Sequence, residues 1–216
     1  TSSGDAKKPR EETRARDDAK PSGDGGSPEL ARAEAALSAG RPGVAVAAYE
    51  KAFAASPELK ERSGPSYAKA LVEDGKSKFD SDSETAAERF RAAIAVDPNL
   101  FDPHFYLAKI HTRKSDPESA MREYQEAIRI NPKSADAQFN LGFVYFSQRR
   151  YDEALKQYEK VVDLKPPYLA DVYYNLSACY EQLKRRSDAL ETLRRGIAAL
   201  PKNELLKQRL KQLGGS

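Results

Sequence analysis

Prolines recur along this chain with a fixed period. Pro98, Pro132, Pro166 and Pro201 are separated by 34, 34 and 35 residues, and Pro57 precedes them. Because proline lacks the amide that continues a helix, each marks a place where a helix has ended. Twelve residues before every one of them stands an alanine (Ala45, Ala86, Ala120, Ala154, Ala189), followed four residues later by Tyr49, Phe90, Tyr124, Tyr158 or Leu193. A four-residue offset puts the small and the large side chain on one helix face, one turn apart. The alanine admits a neighbouring helix closely, and the larger residue fills the next gap. Both belong to the second helix of a two-helix unit, and units of this size bury their apolar faces only by stacking on copies of themselves.

The first helix of each unit is clearest in "ADAQFNLGFVYF" (135–146) and "ADVYYNLSACY" (170–180), and fainter in "FDPHFYLAKIH" (101–111). Leu107, Leu141 and Leu176 share one position. Ala108, Gly142 and Ser177 follow it, where only small side chains let paired helices touch, and His111, Tyr145 and Tyr180 come one turn later. This order of leucine, small residue and aromatic, then alanine, aromatic and proline, resembles the tetratricopeptide repeat, closely so from residue 101 to 203. The resemblance implies an all-α protein, a right-handed superhelical solenoid of antiparallel helix pairs. Five units are expected: 27–59, 60–100, 101–134, 135–169 and 170–203. The first two are degenerate. Residues 27–59 keep Gly40, Ala45, Tyr49, Ala52 and Pro57, but "PELARAEAAL" is alanine-rich and lacks the aromatic, as an end cap would. Residues 60–100 keep Ala86, Phe90, Ala93 and Pro98, while "YAKALVEDGKSKF" departs from the pattern and "ERSGPS" adds residues.

The two ends read differently. Residues 1–26 hold no large apolar side chain, and their cations are matched by carboxylates, so a disordered, mixed-charge polar tether is expected. Ser27 and Pro28 give an N-cap with proline in the first helical turn, where order begins. At the other end, residues 204–214 place Leu205, Leu206, Leu210 and Leu213 among lysines, arginine and glutamines, an amphipathic helix suited to cap the last repeat. With Lys184, Arg185, Arg186, Arg194 and Arg195, that end is locally basic, either a solvated surface or a contact for an acidic partner.

A second stripe runs along the first helices, away from the leucine and small residue that face the paired helix. In "ADAQFNLGFVYF" it consists of Asp136, Phe139, Asn140, Phe143 and Phe146. A stripe of this kind lines the concave groove of a superhelix, and three phenylalanines there would form an exposed apolar patch of the sort that marks binding sites. The neighbours repeat the arrangement. Asp102, Asp136 and Asp171 share a slot, as do Phe105, Phe139 and Tyr174. Asn140 and Asn175 share the next with Tyr106, then come Lys109, Phe143 and Ala178, and finally Thr112, Phe146 and Glu181. An asparagine amide donates and accepts, so asparagines one repeat apart can pair with an extended backbone whatever its sequence. These segments resemble the asparagine and aspartate ladders in the lumen of the O-linked N-acetylglucosamine transferase repeats. That resemblance implies backbone clamping by Asn140 and Asn175 and a flanking role for Asp102, Asp136 and Asp171. The alternatives are asparagines bonded within the array, aspartates serving helix dipoles, and aromatics covered by superhelical closure or self-association.

Other chemistries have little support. The 216 residues carry a formal charge of +3, with 39% hydrophobic and 32% charged residues, one cysteine and two histidines. No apolar run approaches a membrane span, and near-balanced charge gives no general case for nucleic acid, leaving the basic C-terminal end as the one route to it. His104 and His111 stand seven residues apart, roughly 10 Å along a helix, too far for one metal ion, and Cys179 reads as a packing residue. Without a phosphate loop, dinucleotide fingerprint or nucleophile elbow, no enzyme and no cofactor is expected. The expected function is a scaffold or adaptor that holds an extended segment of a partner protein in the groove of repeats three to five. The alternative is a structural subunit of a larger membrane-associated, cell-envelope assembly, its groove permanently occupied. A chain opening on Thr1 and a polar tether is expected after a removed lipobox, signal or transmembrane anchor, or after trimming. With the alanine- and arginine-rich composition, this favours a bacterial, envelope-tethered periplasmic protein over a cytoplasmic one.

Overall fold

The structure, a computed structural model, describes residues 27–214, so the expected tether lies outside the described residues. Eleven helices and no strand are found among the described residues. They alternate as the sequence period demands: α1 (Pro28–Ser38) with α2 (Pro42–Ala55), α3 (Leu59–Lys78) with α4 (Ser83–Val96), α5 (Phe101–Arg113) with α6 (Pro117–Ile130), α7 (Ala135–Ser147) with α8 (Tyr151–Leu164), α9 (Leu169–Gln182) with α10 (Arg186–Ala199), and finally α11 (Glu204–Gln212). The fold is thus an all-α solenoid of helix pairs.

Each periodic proline stands two residues beyond the last residue of an even-numbered helix. The five alanines of the period are fully buried, and Tyr49, Phe90, Tyr124, Tyr158 and Leu193 are buried beside them. Helix starts are set locally. Asp82, Asp116, Ser134 and Asn203 each accept a hydrogen bond from the backbone N–H three residues on, while Ser27 occupies the N-cap of α1 without a side-chain bond and leaves the start to Pro28. The turns joining the two helices of a unit pass through a left-handed residue in four of five cases: Gly40, Ser115, Arg149 and Lys184, with φ between 57° and 67°.

The second unit is the irregular one. Its extra residues lengthen α3 to 20 residues, with Pro65 inside it. A Cβ on Gly75 would lie 2.7 Å from Cε1 of Phe90, just as one on Gly142 would lie 2.8 Å from Cε1 of Tyr158. Gly75 therefore takes the slot of Ala108, Gly142 and Ser177. By the same register Asp74 occupies the leucine position, 2% exposed. Its carboxylate is held by Arg89 Nε at 2.9 Å and Lys78 Nζ at 3.6 Å, and it lies beside Gly43 in the first turn of α2. Two cations and a helix N-terminus offset the cost of burying that charge.

Candidate partner-binding groove

Which face is concave follows from the packing. Among odd-numbered helices, α3 approaches α5 and α9 approaches α11, whereas no two even-numbered helices meet to a similar degree. The odd helices thus line the shorter, inner arc. Counting from the small residue of each odd helix (Gly75, Ala108, Gly142, Ser177), the inner slots fall six, three and two residues before it and one and four after it. In α3 these are Lys69, Val72, Glu73, Lys76 and Phe79. In α5 they are Asp102, Phe105, Tyr106, Lys109 and Thr112.

Aromatic rings pave the α3–α5 floor. Tyr106 stacks on Phe90 at 5.3 Å and meets Phe79 at 5.0 Å and Phe105 at 5.7 Å, both edge-on, while Phe105 stacks on Phe101 at 5.5 Å. The Lys109 ammonium rests over three of these rings, 4.9 Å from the centroid of Phe79, 5.5 Å from Tyr106 and 5.6 Å from Phe105. Such contacts hold a cation in place without neutralising it. Asp102 is differently placed: it pairs with Lys76 at 2.5 Å, and Lys76 also reaches Glu73 at 3.1 Å. Partial burial works against the Lys76 ammonium, but its bonds to Asp102 and Glu73 outweigh that and raise its pKa.

In α7 the expected stripe is split. Phe139 is half-buried against Tyr158 at 5.5 Å and Tyr168 at 5.3 Å, and Phe146 is half-buried with its ring against Tyr151 at 5.3 Å. Phe143 alone of the three stands clear, 49% exposed. Asn140 donates its amide to the backbone carbonyl of Asp136, one turn back, at 2.8 Å and keeps its oxygen uncommitted. The Asp136 carboxylate accepts the Tyr168 hydroxyl. Burial and then this carboxylate push the Tyr168 phenol above its ordinary value, so it stays a donor.

In α9, Asp171 is exposed and Asn175 half-buried, and neither side chain bonds to another described residue. Tyr174 and Glu181 are engaged from α11: the Arg209 guanidinium lies 5.2 Å from the Tyr174 ring and 2.5 Å from Glu181 Oε1. The C-terminal helix thus closes over the last repeat with Leu206 and Leu210 buried, while Leu205 points outward.

Four participants escape the first-helix pattern of the sequence: Lys76 and Phe79, because α3 had no visible register before Gly75 fixed it; Tyr168, because it lies in the loop before α9; and Arg209, because it comes from the cap. The histidines are internally satisfied, His104 Nδ1 lying 2.7 Å from Glu123 and His111 Nδ1 3.1 Å from Asp116. Burial pushes the Cys179 thiol up to about 12, keeping it protonated and unreactive. Among the described residues no group of three metal-ligating side chains is found, and no helix is long and apolar enough to cross a membrane.

Comparison with known proteins places this geometry. Models of the tetratricopeptide repeat match residues 133–202 and 110–149. No curated protein matches the chain in sequence. Among solved structures, YrrB, described as a TPR protein with an unusual peptide-binding site, is 25% identical with a TM-score of 0.63, covering 86% of this chain and 91% of its own. MamA is 24% identical with a TM-score of 0.62, covering 79% and 95%. PilF of Pseudomonas aeruginosa is 23% identical with a TM-score of 0.58, covering 69% and 68%. Residues 110–202 therefore carry tetratricopeptide repeats, and the helix-pair solenoid continues on both sides of them.

Proposed function

We propose that the protein is a scaffold that captures an extended segment of a partner protein along the inner faces of α5, α7 and α9, the third to fifth repeats. The observation that carries this reading is Phe143, a large apolar side chain 49% exposed on the inner face of α7, where the neighbouring Phe139 and Phe146 are half-buried. Burying it against a partner would contribute roughly 1 to 2 kcal/mol. Asn140 and Asn175 stand in one slot, one repeat apart, Asn140 on the same helix as Phe143 and one turn before it. Because the Asn140 amide already bonds to its own helix, its oxygen serves as acceptor for a partner N–H, while Asn175 has both functions to offer. Asp102, Phe105, Tyr106, Lys109, Asp136 and Asp171 would supply the surrounding contacts. Phe139 and Phe146 would support from beneath, and Tyr174 and Glu181 would mark the far boundary where α11 closes the groove. The description of YrrB, whose fold this chain shares, includes a peptide-binding site, which supports a binding role of this class.

The test compares partner capture by wild type, Asn140→Ala/Asn175→Ala and Phe143→Ala, with a melting curve for each. The asparagine pair should weaken binding by roughly 1 to 3 kcal/mol, since partner amides are left unpaired, while melting changes little. If the asparagine pair melts far earlier yet retains every partner, these residues are internal struts and the reading is wrong.

A further inference from the structure

The inner surface is electrically divided along its length. Over α3 and α5 the inner slots hold three lysines (Lys69, Lys76, Lys109) against two carboxylates (Glu73, Asp102), whereas over α7 and α9 they hold three carboxylates (Asp136, Asp171, Glu181), met only by Arg209 of α11. The sum is slightly positive at the first end and negative at the second. Lys76 bridges Glu73 and Asp102, and Arg209 pairs with Glu181. What remains without an ion-pair partner among the described residues is Lys69 and Lys109 at one end and, at the other, Asp171 and Asp136, the latter bonded only to the uncharged Tyr168 hydroxyl, with the exposed Phe143 between them. Lys109 matters most because its ammonium is fixed over Phe79, Phe105 and Tyr106 and has no carboxylate partner. It occupies in α5 the slot that Phe143 occupies in α7.

From this division we infer that the occupant of the groove is a bipolar peptide: an extended segment with an acidic side chain over Lys109, a large apolar side chain on Phe143, and a basic side chain toward Asp136 and Asp171. This deepens the groove reading above and rests on it. Lys109 stands on α5, Phe143 and Asp136 on α7 and Asp171 on α9, so an extended segment crossing these helices meets the lysine before the phenylalanine and Asp171 after it. The acidic and apolar anchors therefore belong to successive repeats, and the basic residue lies on the side of the apolar one away from Lys109. A uniformly acidic or uniformly basic segment gains at one end and is repelled at the other, and this sets the direction in which a given segment lies.

A displayed library of random twelve-residue peptides, selected against the full chain and against Lys109→Glu, Lys109→Gln and Asp136→Lys/Asp171→Lys, reads the inference directly. Fluorescence polarisation of the selected peptides then measures affinity, with a melting curve for each variant. Wild type should enrich the acidic, apolar, basic pattern. Lys109→Glu should exchange the preferred acidic residue for a basic one, with at least a tenfold change in affinity for the original peptides. Lys109→Gln should lose that preference without reversing it, and the double aspartate variant should reverse the other end. Peptides that lose affinity in Phe143→Ala but show no charge pattern, or a pattern unmoved by Lys109→Glu, overturn the inference and leave the groove reading standing. Peptides indifferent to Phe143→Ala and to the asparagine pair overturn both.

Discussion

At the scale of single residues the array depends on a few close approaches. The ring of Tyr158, itself buried, lies where a Cβ on Gly142 would sit, 2.8 Å from Cε1. Gly142→Ala should therefore destabilise the protein by about 1 to 3 kcal/mol through overpacking, visible as an earlier thermal transition. The left-handed turns predict the opposite sign. Arg149 has φ 58° and its side chain is exposed, so the residue contributes a strained backbone and little packing. Relieving a left-handed non-glycine residue is worth about 1 kcal/mol, partly cancelled by the greater freedom of glycine in the unfolded chain. Arg149→Gly should leave stability unchanged or raise it by up to about 1 kcal/mol in urea melts, whereas Arg149→Val should lower it.

Among elements, the even helices were the most legible in the sequence, because an alanine, a large apolar residue and a proline at fixed offsets report a close helix approach, the gap beside it and a helix end. The second unit was legible only in its second helix. Its first helix hides its register because an aspartate stands where leucine belongs, and only the folded contacts with Arg89, Lys78 and the first turn of α2 explain how that charge is tolerated. The stripe facing the groove was legible as positions but not as exposure: Phe139 and Phe146 are half covered by Tyr158, Tyr168 and Tyr151, contacts between elements that periodicity cannot reveal. The C-terminal helix was legible as an amphipathic element with buried leucines, yet its Arg209 contacts were not. They give it a second consequence. Removing residues 202–216 uncovers Tyr173 and Gly196, against which Leu206 packs, and frees Glu181. Hydrogen exchange on the truncated protein should show lost protection over 187–200 while α5 and α6 stay protected; uniform protection would mean that α11 is not a cap.

Across the whole molecule, the buried apolar residues form three clusters rather than one. One spans the third repeat to the cap, a second joins α1 and α2 to α3, and a small third, Phe79, Ala86, Ala87, Phe90, Leu107 and Ile110, links the second unit to the third. Stability in such an array is a sum of units and their interfaces, so its halves need not unfold together. The Asp74–Arg89 pair sits where α2, α3 and α4 meet, and Arg89 also reaches Glu50 of α2 at 3.6 Å, which ties the first unit to the second. Replacing Asp74 with alanine leaves Arg89 without its main partner and opens a gap in a leucine slot. The cost should be about 2 to 3 kcal/mol, below that of a fully buried pair because the Arg89 side chain retains 31% exposure. Almost all of that loss should fall on one side. In native-state hydrogen exchange of Asp74→Ala, amides of residues 28–96 should exchange at markedly lower free energy while those of 101–212 change little. The double variant Asp74→Leu/Arg89→Met, which restores an apolar contact without stranding a charge, should recover much of the lost protection. A single cooperative loss of protection from α1 to α11 would instead show that the three clusters act as one core.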